Sequence, residues 1–239
     1  MFAKRRKQAA ISPQPLSKAL YGKDSMKHGV ILVIMGIFSI FGSKANASVE
    51  ADFWKWFQKN EDMIFNFEKD TENTFDKLSL ALSKVDPELT FEFSPIRENG
   101  KREFVLSAGG IKKSFPSVEL LFNSAPELKQ WTIVKFRPRR TPLNDLTFGG
   151  VSIKADDVYY NIYKDEDKLG VVLFFDNYSD KEHTTYGNLG YLFLDEALGE
   201  YDVETKLGFI EFHNKSSEHF DGAKPIRELA TQVDEYYDN

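Results

Sequence analysis

The chain has 239 residues, a formal net charge of -6 and no Cys. Its 41% apolar and 28% charged content suits a chain with a sizeable core and excludes a disordered or collagen-like one. The lack of Cys excludes disulfides, thiolate-ligated metal and thiol catalysis, and 4 His leave little for a multi-histidine metal site.

In chain order, residues 1–25 carry Arg5, Arg6 and Lys7 among Ser and Pro and match no packed element. They read as an over-long start ahead of Met26 or as an extended basic n-region. Val30 to Phe41 is uncharged and apolar apart from Ser39. Lys27 and His28 precede it, and the small residues Ala45 and Ala47 follow. Basic, apolar, then small is the order of a secretory signal peptide, here 26–47. The apolar run also falls short of the roughly 20 residues that a bilayer span needs. If cleavage occurs, the mature chain is expected to run from 48 to 239 with no transmembrane segment. It holds 23 basic and 36 acidic residues, a net -13, which repels nucleic acid. Export machinery and signal peptidase are the first partners this implies. The expected location is outside the cytoplasm, in the periplasm or the extracellular envelope of a bacterium.

The mature chain reads as mixed helix and strand. Residues 50–59 put Phe53, Trp56 and Phe57 on one helical face, widened by Trp54, and that face reads as a docking surface. Residues 71–85 form an amphipathic helix with Phe75, Leu78, Leu82 and Val85 as its stripe and Thr71 or Thr74 as cap. Residues 90–94 alternate as a strand, Glu98-Asn99-Gly100-Lys101 is a hairpin turn, and 102–108 return. A helix is expected over 115–123 and a strand over 131–136. The interruptions at Pro138, Pro142, Gly149 and Gly150 make 137–150 an internal linker.

Beyond it, 151–153 read as an edge strand and 157–163 as a strand. A turn at 164–168 leads to a central strand at 169–175. Residues 183–199 keep a 3.6-residue apolar period. A strand at 207–212 follows, then a last helix from Pro225 to Tyr237 with Pro225 in its first turn. The segments 90–136 and 157–212 share strand–strand–helix–strand order. The expected fold is therefore α+β: mostly antiparallel sheet or sheets covered by helices, in two related units.

Two charged clusters hold the candidate chemistry. Asp195, Glu196, Glu200, Asp202 and Glu204 are five acids within ten positions. Oxygen ligands of this kind suit a hard cation such as calcium or magnesium, or an acid–base pair for hydrolysis. The plainer reading is solvated or salt-bridged carboxylates, and no calcium-loop pattern is present, so no cofactor is expected. Asp202 and Glu204 are read as sharing a strand face. The second cluster is Lys135, Arg137, Arg139 and Arg140, an exception on an acidic chain. Its Arg forks suit carboxylate or phosphate. A strand would place Lys135 and Arg137 on one face, with Arg102 nearby if its strand lies alongside. The plainer reading is a rim of ion pairs with the surplus acids. Ser107-Ala108-Gly109-Gly110 is glycine-rich but equally suits a strand exit.

Four segments, Phe53 to Phe57, Phe104 to Gly110, Phe136 to Arg140 and Leu194 to Glu204, resemble an uncharacterised family of exported or envelope domains in bacteria. The resemblance covers roughly residues 50–213 and implies one domain there, with no activity or catalytic residues to carry over. The functional expectation is an exported, non-enzymatic protein that binds a protein or a small anionic ligand through Arg137, Arg139 and Arg140. The alternative is a hydrolase or metal-dependent envelope enzyme using the carboxylates of 195–204.

Overall fold

The computed structural model describes residues 48–238. The signal-peptide reading of 26–47 and both readings of 1–25 lie outside these residues. Among the described residues no helix is long and apolar enough to cross a membrane.

The first helix among the described residues, α1 (Val49–Lys59), starts where Ser48 accepts a hydrogen bond from the Ala51 N–H at 3.3 Å, and Glu50 and Asp52 favour its N-terminal dipole. Its aromatic face is not a docking surface. Phe53, Trp54 and Phe57 are buried in a core of rings, and the Trp54 indole donates to the Leu121 carbonyl at 2.9 Å. A short α2 (Glu61–Phe65) and a 3-10 turn lead to α3 (Thr71–Ser83). Neither expected threonine caps α3. Asp70 precedes it, Thr74 is buried on its inner face, and the Thr71 hydroxyl donates back to the Phe67 carbonyl.

β1 (Thr90–Phe93) and β2 (Arg102–Ser107) pair antiparallel around the Asn99-Gly100 turn. The chain then crosses through α4 (Phe115–Asn123) to β3 (Trp131–Lys135), which lies parallel to β2. A helical crossover returns the chain to the same end of the sheet, so the strands it joins run parallel. Phe57 stacks on Phe104 at 5.1 Å and meets Trp131 edge-on at 5.4 Å, closing one core.

Residues 137–145 connect to β4 (Leu146–Phe148) and β5 (Val151–Ile153), a small hairpin. The expected edge strand at 151–153 is β5. Its partner β4 falls inside the stretch read as linker, since three residues are too few to show a period. β6 (Tyr159–Asp165) and β7 (Lys168–Phe175) form the second long hairpin. The chain crosses through α5 (His183–Leu198) and α6 (Glu200–Lys206) to β8 (Leu207–Asn214), parallel to β7. The two-residue β9 (Lys224–Pro225) pairs with β6, and α7 (Leu229–Asp238) closes the chain. Pro225 therefore sits in a strand, with a 3-10 turn between it and α7.

The fold is α+β, with helices packed on mixed sheets in the orders β1-β2-β3 and β8-β7-β6-β9 beside the hairpin β4-β5. Both larger sheets pair a hairpin antiparallel and a post-helix strand parallel. The two apolar cores stay separate. One draws on residues 53–136, the other on 143–233, and Phe193 and Leu194 of α5 are fully buried in the second.

Candidate functional site

The seam between the two cores brings the basic and acidic clusters of the sequence together. Phe136 has φ +59°, a left-handed conformation that ends β3 and turns the chain. Lys135 and Arg137 therefore do not share a strand face. Arg137 turns inward. Its Nε donates to Glu92 Oε1 at 2.6 Å and its Nη1 to Asp195 Oδ2 at 3.1 Å. Arg139 reaches across to Asp202 at 2.7 Å, Asp234 at 2.6 Å and the Leu198 carbonyl at 2.8 Å. Arg140 is held more loosely, 3.4 Å from Glu92 and 4.0 Å from Glu196. Its own N–H donates to the Glu196 carbonyl at 2.8 Å.

Glu200 is the most deeply placed of the acids, with 0% exposure. Its Oε1 accepts from the N–H groups of Ala108 and Gly110 at 2.9 and 3.0 Å, and its Oε2 from the Arg137 N–H at 3.1 Å. Its own N–H donates to the Arg137 carbonyl at 3.0 Å. This approach needs Gly199, whose φ is +82° and where a Cβ would stand 3.3 Å from the Arg137 carbonyl. Glu196 accepts from the N–H and side-chain amide of Asn144, fixing the connection to β4.

The acids do not lie on a strand. Asp202 and Glu204 belong to α6, because the Gly199 turn restarts a helix before β8 begins. Arg102 is also elsewhere. It is in register with Trp131, while Lys135 is in register with Leu106 towards the far end of the same pair. The Arg102 guanidinium donates to Ser94 O at 3.0 Å, pairs with Glu68 and lies 4.8 Å over the Phe67 ring.

Crowding of carboxylates around one guanidinium sets the electrostatics. Burial pushes the Asp195 carboxyl up to about 7; Arg137 opposes this, and Glu200 and Glu204 add to it. Glu204 is raised mainly by burial and then by Glu200. Arg137 is held above its ordinary value: burial lowers it, but Asp195, Glu92 and Glu200 outweigh that. Hydrogen bonding from Arg139 lowers Asp234.

Two concavities flank the Arg137–Arg140 segment. One, of about 400 Å³, lies between Lys135, Phe136 and Arg139 on one side and Leu198, Tyr201 and Asp202 on the other. The Tyr201 ring stacks on Phe115 at 5.7 Å and contacts Phe136 at 5.3 Å, yet stays 47% exposed. The other, of about 150 Å³, is lined by Glu92, Arg140, Asp195 and Glu196 with Leu146 and Leu192. Among the described residues no group of three or more His, Asp or Glu is arranged to hold a metal ion.

Sequence reasoning missed Glu92, Asp234 and the backbone donors at Ala108 and Gly110. Glu92 and Asp234 carry no local signal, because their arginines lie 45 and 95 residues away. The glycines did carry one: Gly109 and Gly110 both take positive φ, which lets the N–H groups of Ala108 and Gly110 converge. No family model, curated protein or solved structure matches the chain. The resemblance of residues 50–213 rests on its four quoted segments alone.

Proposed function

We propose that this is an exported, non-enzymatic binding protein that takes an anionic ligand at the seam, with Arg137 as anchor and Lys135, Arg139 and Arg140 as the contacting cations. The observation that carries the reading is the 400 Å³ concavity, where Lys135 and Arg139 stand beside the exposed face of Tyr201. Lys135 is 3.6 Å from its nearest carboxylate, Glu119, and 44% exposed, so an incoming anion meets a cation that no short ion pair holds. The rings of Tyr201 and Phe136 then cover an apolar part of the same ligand.

The test is recovery of partners from native envelope by the mature chain, followed by titration of each partner against Lys135→Ala, at the larger concavity, and Arg140→Ala, at the smaller one. Lys135→Ala leaves the buried ion pairs in place, so its melting temperature should stay within about 1 °C of wild type, while Arg140→Ala gives up only the long contacts to Glu92 and Glu196 and should fall by a few degrees at most. Loss of binding in the variants, and weakening as salt rises, fits the reading. A salt-insensitive complex that both variants retain contradicts it. Export has its own check: mass spectrometry of protein from its native envelope should find an N-terminus near Ser48, and an intact N-terminus in the cytoplasm overturns it.

The enzyme reading keeps one specific observation in its favour. Asp195 is a buried carboxyl raised towards neutrality at a 150 Å³ concavity, as a proton donor in a hydrolase would be. Turnover of an envelope substrate abolished by Asp195→Asn would move the assignment there.

A further inference from the structure

We infer that the Ala108–Gly110 loop and the Arg137 backbone form a carboxylate-binding nest, and that Glu200 is its built-in ligand. This goes beyond the seam's proposed binding role and does not depend on it.

Three backbone N–H groups, those of Ala108, Gly110 and Arg137, donate to the two carboxylate oxygens of Glu200 at 2.9 to 3.1 Å. An ordinary ion pair is built from two side chains and is lost with either. Here the hydrogen bonds to the carboxylate come from backbone, so the donors persist when the Glu200 side chain is removed. The loop is also shaped in advance. Gly109 and Gly110 take φ +59° and +74°, and the Gly109 N–H is tied off on the Ser107 hydroxyl at 2.9 Å. That leaves the flanking N–H groups to converge on one point, as in backbone nests that bind anions.

Charge supports the same assignment. Glu200 is fully buried and sits near Asp195 and Glu204, which both repel it. Arg137 is the cation that faces it, and it is shared with Glu92 and Asp195. A buried carboxylate in acidic company needs strong donors, and hydrogen bonds from N–H groups to an ionised acceptor are stronger than neutral ones. The ligand class follows: a carboxylate on a short unbranched arm. Because the loop belongs to the first core and Glu200 to the second, the occupied nest clasps one half to the other.

Glu200→Ala removes a two-carbon carboxylate and so leaves room for acetate. The full mature variant is melted with increasing sodium acetate, with acetamide and sodium chloride as controls of shape and ionic strength. The expected result is a saturable rise in melting temperature of about 2–4 °C with acetate only, absent in wild type. A folded variant that responds equally to acetate and chloride, or to neither, overturns the inference. Should Glu200→Ala fail to fold, Glu200→Gln keeps the volume and loses the charge. Amide exchange at Ala108, Gly110 and Arg137 should then quicken about tenfold against wild type while Phe104 to Leu106 stay protected. Unchanged exchange at those three amides overturns it.

Discussion

The two halves follow one strand plan with different cores. In the first, β1, β2, α4 and β3 close over rings: Phe53, Trp54, Phe57, Phe104 and Trp131 touch one another edge-on or stacked. In the second, β6, β7, α5 and β8 close over Val171, Leu173, Leu194, Ala197 and Leu198, with the rings of Tyr160, Phe175, Tyr186, Phe193 and Phe212 spaced among them. A hairpin, a crossover helix and a parallel strand need an apolar face of the right volume on each element, and either rings or branched aliphatics supply it. The join between the halves differs from both cores. It includes Arg137 between Glu92 and Asp195, Arg139 between Asp202 and Asp234, Glu200 on backbone donors and the Tyr201 ring against Phe115 and Phe136. Such contacts depend on direction and protonation, which apolar packing does not.

The largest effect expected of this contrast lies in the cores. Phe104→Ala should cost about 3–5 kcal/mol and Leu194→Ala about 2–5 kcal/mol, since both residues are fully buried. If each half has its own core, the first variant quickens amide exchange mainly in β1 to β3 and the second mainly in β6 to β8. Equal loosening of both sheets by either variant would mean that the cores act as one.

Next comes the seam's response to pH. Asp195 is raised from about 3.8 unfolded to about 7 folded, so the folded chain binds the extra proton in that window. Its contribution is therefore fully present below the unfolded value and is lost as pH rises towards 7. Glu204 acts in the same direction, while Glu68, Asp86 and Asp234, all lowered, contribute stability that is lost as pH falls. Asp195→Asn should flatten the part of the stability profile between pH 4 and 7 that declines with rising pH. Denaturant melts at several pH values in both proteins measure this, and parallel profiles would remove Asp195 from the account.

The smallest effect belongs to the outer ion pairs. Arg139 is a third exposed and bonded to Asp202 and Asp234. Replacing it with Ala should cost about 1 kcal/mol, and the difference from wild type should shrink in high salt. A salt-independent loss would shift the weight to its bond with the Leu198 carbonyl.

By itself the sequence determined the elements that local periodicity controls. The 3.6-residue stripe of 183–199, the alternation at 90–94 and the unbroken β-prone run at 169–175 each became the expected helix or strand. Side-chain period depends on nearest neighbours along the chain, so it can be read locally. The four-stranded sheet also places 169–175 centrally, where a strand is covered on both sides. The candidate residues were legible as types but not as partners. Only the tertiary structure decided that Arg137 meets Asp195 rather than solvent, and that the restart at Gly199 makes a helix of 200–206. Phe136 in a left-handed turn gave no warning, because nothing local favours that conformation in a phenylalanine; burial of its ring against Phe115 holds it there. The nest shows the division most clearly. Two adjacent glycines announce a backbone free to turn, but the carboxylate they receive stands 90 residues further along the chain. Distance in sequence carries no information about such a pairing, whereas converging N–H groups in a buried seam require a partner.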